Sequence, residues 1–328
     1  MTPLLDIIVP HYKEPWQTGM KFFDMLAMQR GINFEDFTVT IVQDGEENTL
    51  PWDELLQGYP FTYRVETIPH GGVSQARNHG LELSTADWIL FCDFDDCFSS
   101  IHGLRRFFER MNENTDMIFC HLYGERMNGV EPYTLDRYNR NDTFIHGKMF
   151  RRAFLMNSGL RFDPDVTYSE DFLFCHILNV LINHGRIAEI PEVLYTRCWN
   201  PGSVCRDDRN VFRNAVGTFK SRNALIRAYK ILNCPKNYTA TVVKTALDYY
   251  YAITCKNYPE PEYFKQDFRN FWNEYEDVFR SAPNDILAYA NDQSLNEAAN
   301  KGFVTVPTIT FYDWVRNVTE QSQKGESV

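Results

Sequence analysis

The chain has 328 residues, enough for one large core or for a catalytic core with a smaller second unit. With 44% hydrophobic and 23% charged residues, its composition excludes a disordered chain. Thirty-three basic against 44 acidic side chains leave a formal net charge of -11, which disfavours general nucleic-acid binding, because phosphate backbones are held by Lys and Arg.

From Leu4 to about Asp96, short runs of β-branched and aromatic residues ("LLDIIVP", "FTVTIVQ", "FTYRVETI", "WILFCD") alternate with runs of helical spacing ("GMKFFDMLAMQR", "SQARNHGLEL"). This alternation predicts an α/β fold with a mostly parallel, Rossmann-like sheet and flanking helices. Asp116 to Arg206 mixes strands ("DMIFCHLY", "RIAEI", "EVLYTRCW") with two expected helices, "KMFRRAFLMNSG" and "EDFLFCHILNVLI". Beyond Asp207 the pattern changes to long helical runs. Residues 1–206 therefore read as one α/β domain, which its motifs mark as the catalytic one. Residues 207–328 read as an α-helical C-terminal region that shapes an acceptor site or an oligomer contact.

The eight cysteines show no CxxC spacing, so zinc-knuckle and thioredoxin-like motifs lack support, and the thiols are expected to be reduced. The N-terminus has no basic region before its short apolar run, and no stretch approaches the roughly 18 apolar residues of a membrane span. A cytoplasmic protein is expected.

In a parallel sheet, ligands bind beyond the carboxyl ends of the strands. Four polar clusters fall there: "PHYKEP", "QDGEEN", "PHGGVSQARN" and "DFDDCFSS". Asp93, Asp95 and Asp96 would repel one another if buried and unpaired; either a divalent cation, Mg²⁺ or Mn²⁺, relieves this, or the group is a solvated turn capping a helix that begins near Ile101. Ser74 reads as the N-cap of a helix carrying Arg77 and Asn78, a place for an anion or for an Arg bridging to a carboxylate. Glu170 and Asp171 open another helix, either as dipole-stabilising acids or as a general base aimed into the cleft. Arg197, Ser203 and Arg206 surround an Asn-Pro-Gly turn that either closes over a diphosphate or is a plain surface turn.

Taken in order, "IVPHY", "VQDG", "GGVSQARNHG", "FCDFDD", "GKMFRRAFLMNSGLRFDPDVTYSEDFLF" and "YTRCWNPGS" resemble the family 2 glycosyltransferases, inverting enzymes of the GT-A fold that use nucleotide-sugar donors. The resemblance covers about residues 4 to 206. It implies that Pro10 and Tyr12 border the nucleotide base, that Asp44 accepts a hydrogen bond from it, with uracil expected, and that Arg77 braces that contact. It implies that Asp93 and Asp95 are the DxD pair, Asp93 near the ribose and both on a Mn²⁺ or Mg²⁺ ion. Asp171 would be the catalytic base with Glu170 as its neighbour, and Arg197 and Ser203 would contact the departing diphosphate. Gln43, Glu46 and His11 depart from the family pattern, the first two making base preference less secure.

The expected activity is metal-dependent, inverting transfer of a sugar from a UDP-sugar to an acceptor hydroxyl. Candidate acceptors are a surface polymer or its precursor, a lipid-linked glycan, a protein or, disfavoured by net acidity, a modified nucleic acid. Two rivals are a non-catalytic sugar-nucleotide or glycan-binding module, and a haloacid dehalogenase-like phosphohydrolase with Asp93 as nucleophile. Cys97 stands against the latter, where that motif wants Thr or Val.

Overall fold

β-Branched and aromatic residues build the sheet that positions everything else. A computed structural model describes residues 3–47, 49–126, 134–139, 141–200, 210–254, 258, 260–281, 313, 314 and 317. The chain divides into two compact units, Met1–Ser203 and Val204–Val328.

In the first unit the described strands are β1 (Leu5–His11), β2 (Phe37–Asp44), β3 (Thr62–Ile68), β4 (Trp88–Phe91), β5 (Cys97–Phe98), β6 (Met117–Arg126), β7 (Thr134–Tyr138), β8 (Lys148–Arg151) and β9 (Ile187–Arg197). They form one mixed sheet in the order β3-β2-β1-β4-β8-β6-β9-β5, with β7 paired to β6. β3, β2, β1 and β4 are parallel, so their carboxyl ends open onto one edge. β8 runs antiparallel to both β4 and β6.

The helices of this unit are α1 (Trp16–Ala27), α2 (Trp52–Leu55), α3 (Val73–Leu83), α4 (Gly103–Phe108), α5 (Arg152–Ser158) and α6 (Glu170–Leu181). Side chains of a strand alternate between faces, and β1 uses both. Leu5, Ile7 and Val9 join Phe22, Phe23 and Leu26 of α1 in one apolar cluster, whereas Ile8 joins Ala76 and Leu81 of α3 and Phe174 and Leu178 of α6 in another. α3 lies so close that a Cβ on Gly80 would come within 2.5 Å of Ile8 Cγ2.

Several sequence-based expectations change. "KMFRRAFLMNSG" is not one helix: Lys148–Arg151 is the strand β8, with Met149 and Phe150 fully buried, and only Arg152–Ser158 is helical. "RIAEI" and "EVLYTRCW" merge into the single strand β9. Ser74 does not cap α3; Gly72, at φ 88°, holds that position, in a left-handed conformation that favours glycine. α4 has His102 as its N-cap, without a side-chain cap, so Asp96 is not a helix cap.

The second unit contains α7 (Val211–Ile231), α8 (Pro235–Thr254) and α9 (Pro261–Ser281), the last kinked at Tyr275. Many of its described aromatic residues are core: Phe219 stacks on Tyr249 at 4.0 Å, and Trp272 stacks on Phe279 at 4.7 Å. No helix among the described residues is long and apolar enough to cross a membrane.

Candidate active site

Arg77 organises the carboxylates. Its position on the sheet-facing side of α3 leaves it only 1% exposed, with the guanidinium over the Phe162 ring at 5.1 Å. Nη2 donates to Asp93 Oδ1 at 2.7 Å, while Nη1 donates to Glu170 Oε1 at 2.9 Å and to Asp171 Oδ1 at 2.8 Å. The next residue fixes the helix: Asn78 exchanges two hydrogen bonds with the backbone of Phe162. Arg77 thus joins the turn after β4 to the start of α6. The expected brace between Arg77 and Asp44 is replaced by this contact.

Asp44, at the end of β2, is held by its own neighbours. Oδ1 accepts from Gly71 N–H at 2.7 Å, and Oδ2 accepts from Gly72 N–H and meets His70 Nδ1, both at 2.9 Å. The His70 ring stacks on Tyr12, centroids 4.2 Å apart and planes 12° apart, and both rings are exposed on one side. Pro10 lies two residues earlier, on β1, paired with Val42. Two of the departures from the family pattern meet each other: His11 Nδ1 and Gln43 Oε1 are 2.7 Å apart in the core.

The three aspartates after β4 have different partners. Asp93 bonds Arg77 and, through Oδ2, His146 Nε2 at 2.8 Å, and its backbone N–H donates to Tyr195 Oη. Burial works to raise its carboxyl, but the charges of His146 and Arg77 outweigh it and hold the group well below the usual range. Asp95 Oδ2 accepts from Asn200 Nδ2 at 2.9 Å; burial and the Asp93 charge raise its carboxyl. Asp96 is 4% exposed, and its Oδ1 accepts from Cys198 N–H at 2.9 Å. Its Oδ2 has no hydrogen-bond partner, and burial, opposed by His146, pushes the carboxyl well up.

His146 is the residue that sequence reasoning missed. It sits just before β8, 3% exposed, its ring nearly parallel to Tyr195. Nε2 lies 3.6 Å from Asp96 Oδ2, and Nδ1 lies 3.9 Å from Asp171 Oδ2. Burial alone would lower its pKa; Asp93 and the other carboxylates raise it. One guanidinium and one imidazole here face four carboxyl groups, Asp93, Asp96, Glu170 and Asp171, and this excess of acids over cations accompanies the raised carboxyls of Asp96 and Glu170.

That excess, with the unpartnered Asp96 oxygen, fits a divalent cation. Asp93, Asp96 and His146 offer three ligand atoms within 4.8 Å of one another. A set of two oxygens and one nitrogen suits Mn²⁺ better than Mg²⁺, which prefers oxygen alone. The grouping differs from the expected Asp93 and Asp95 pair, because Asp95 turns to Asn200.

Asp171 Oδ2 accepts from Ile145 N–H at 3.2 Å, and the Asp171 side chain is 13% exposed. Burial and the Asp171 charge raise the Glu170 carboxyl, against Arg77. Arg197 ends β9 with its guanidinium 3.8 Å from the centroid of the Phe144 ring. Ser203 and Arg206 lie outside the described residues.

The mixed sheet, the "DFDD" turn and the acid pair opening α6 define a glycosyltransferase of the GT-A fold. The particular family follows from the sequence: residues 6–178, more than half of the chain, match the model of "Glycosyl transferase family 2", and the chain belongs to that family. This leaves the phosphohydrolase reading of Asp93 without support.

Among curated proteins, the uncharacterized glycosyltransferase EpsJ of Bacillus subtilis (strain 168) is 27% identical over 227 residues, 62% of this chain and 63% of that protein. An uncharacterized glycosyltransferase of Haemophilus influenzae is 34% identical over 96 residues, 29% of this chain and 30% of its own length. The chain thus spans less than two thirds of either relative. Crystal structures of S. aureus TarS 1-349 in complex with UDP and with UDP-GlcNAc share the fold at TM-scores of 0.59 and 0.64, with 18% identity. Both matches cover 99% of this chain, and 92% and 93% of theirs.

Proposed function

We propose that this protein transfers a sugar from a UDP-sugar to an acceptor hydroxyl, inverting the anomeric carbon, with Asp171 as general base. The observation that carries the reading is the Arg77 brace, which fixes the donor-side Asp93 and the acid pair Glu170 and Asp171 with one buried guanidinium. The complexes of TarS with UDP and UDP-GlcNAc support the choice of donor.

In this reading the base of the donor lies against Tyr12 and Pro10, at the rim formed by His70 and Asp44. Arg77 and Ile145 N–H hold the two oxygens of Asp171 apart, so that the carboxylate keeps one orientation toward the acceptor. Asp171 takes the hydroxyl proton as the acceptor oxygen attacks the anomeric carbon from the face opposite the diphosphate. The bond from that carbon to the diphosphate oxygen breaks, and Arg197 meets the negative charge left there. Glu170 keeps Arg77 in place and, as the raised member of the pair, takes up a proton as the pH falls. A divalent cation on Asp93, shared with Asp95 or with Asp96 and His146, would supply further neutralisation of the diphosphate.

General bases typically contribute about 10² to 10⁴ in rate. Asp171→Asn keeps the side chain's shape and one acceptor oxygen, enough for Arg77 but not for Ile145 N–H as well, so UDP affinity in a calorimetric titration is expected to hold while transfer falls by at least about 10². Near-normal turnover in Asp171→Asn removes Asp171 from the role.

A further inference from the structure

We propose that Phe144 is a positioning residue for Arg197: its ring carries the guanidinium by one face and leaves the N–H edges free to take the β-phosphate of a nucleoside diphosphate. This rests on the reading of Arg197 as a diphosphate contact.

The guanidinium carbon lies 3.8 Å from the Phe144 centroid, well inside cation–π range. Among the described residues no carboxylate forms an ion pair with Arg197, and its side chain makes no hydrogen bond to them. A planar guanidinium lying over a ring keeps its five N–H donors in its own plane, directed past the ring, where an anion is met edge-on. The ring is therefore the contact that fixes the direction of this cation.

Phe144, half-buried, is itself held by its neighbours. Asn141 Oδ1 accepts from the N–H groups of Thr143 at 2.8 Å and Phe144 at 2.9 Å. The Lys148 ammonium donates to the Phe144 carbonyl, and Tyr138 meets the ring edge-on, with centroids 5.6 Å apart. The following residue, Ile145, gives its N–H to Asp171. One short segment thus fixes the cation for the leaving group by a ring and the base by a peptide group.

The test is calorimetric titration of the full chain, in MnCl₂, with UDP and with UMP, which lacks the β-phosphate. Phe144→Leu is expected to weaken UDP about 3- to 30-fold, the range of cation–π contributions, and to leave UMP unchanged. Phe144→Tyr retains the ring and is expected to restore UDP affinity. In an Arg197→Ala background, Phe144→Leu is expected to add nothing. Equal loss of UDP and UMP in Phe144→Leu, or a loss of the same size without Arg197, overturns the proposal and leaves a packing role. The underlying reading fails separately: if Arg197→Ala weakens UDP no more than UMP, Arg197 does not meet the β-phosphate and the role of Phe144 falls with it. If Arg197→Ala weakens UDP selectively and Phe144→Leu does not, only the role of Phe144 is lost.

Discussion

A guanidinium that is 1% exposed needs its charge matched, and Arg77 is matched by three carboxylates from two elements far apart in sequence. Removing one partner of such a network leaves buried charges uncompensated, at a cost of about 3 to 5 kcal/mol. Arg77→Met is therefore expected to lower stability by about that much in urea unfolding, and Arg77→Lys to recover only part, since one ammonium does not reproduce the two-nitrogen fork. Full recovery by Lys would show that charge alone suffices. His146 gives a second, pH-dependent case. Its folded pKa is raised above 6.5, so its ion pairing stabilises below the unfolded value and is lost as the pH rises through the folded one. Asp93 is depressed, so its share is present above the usual 3.8 and lost as the pH falls below it. The melting temperature of wild type minus that of His146→Gln, both in EDTA, should be larger at pH 5.5 than at pH 8.5. A difference that is flat or grows with pH contradicts the pairing.

Elements with strong local signals were legible in the sequence; those decided by tertiary pairing were not. β1, β2, α3 and α6 follow from runs of one period each, and the residues at their ends, Asp44, Arg77, Asp93 and Asp171, follow with them. β8 does not, because "KMFRRAFLM" has helical spacing, and only the pairing of Met149 with Leu90 and Ile118 makes it a strand. β9 was split by Pro191, which the strand accommodates where the register with β6 shifts. The site inherits this gap: Phe144, Ile145 and His146 precede β8 in "TFIHGK", a stretch without periodicity or cap, so nothing local marks them. The partners of Arg77 were likewise invisible, because they meet it across 16 to 94 positions. Where an element's placement is set by contact, a small change should be felt. A Cβ on Gly80 would press on Ile8 of β1, and Gly80→Ala is expected to lose about 1 to 3 kcal/mol in urea unfolding despite alanine's better helix propensity. Combining it with Ile8→Val, which keeps Cγ2, should restore little, whereas Ile8→Ala should restore more than additivity allows.

At the scale of the whole chain, the two units have separate cores among the described residues: β1, β2 and α1 build one around Phe22 and Ile41, while α7, α8 and α9 build another around Trp272 and Tyr249. A ligand stabilises the state that binds it by RT ln(1 + [L]/Kd), about 2.7 kcal/mol at a hundredfold excess over Kd. That gain reaches only those residues whose opening also breaks the site. The residues proposed to hold the nucleotide lie on β1, β2 and α3 and in the turn after β4, all in the first unit. Saturating UDP and Mn²⁺ should therefore slow amide hydrogen exchange in the buried backbone of β1, β2 and α3 by up to about a hundredfold, while the buried turns of α8 and α9 exchange at unchanged rates. Equal slowing in both units would mean that they open together, so that the helical region takes part in donor binding through its stability. With Asp95→Ala and Asp96→Asn together, the ligand-dependent slowing in the first unit should shrink at the same UDP and Mn²⁺ concentrations, because the acidic cluster proposed to hold the cation is depleted and UDP binds more weakly.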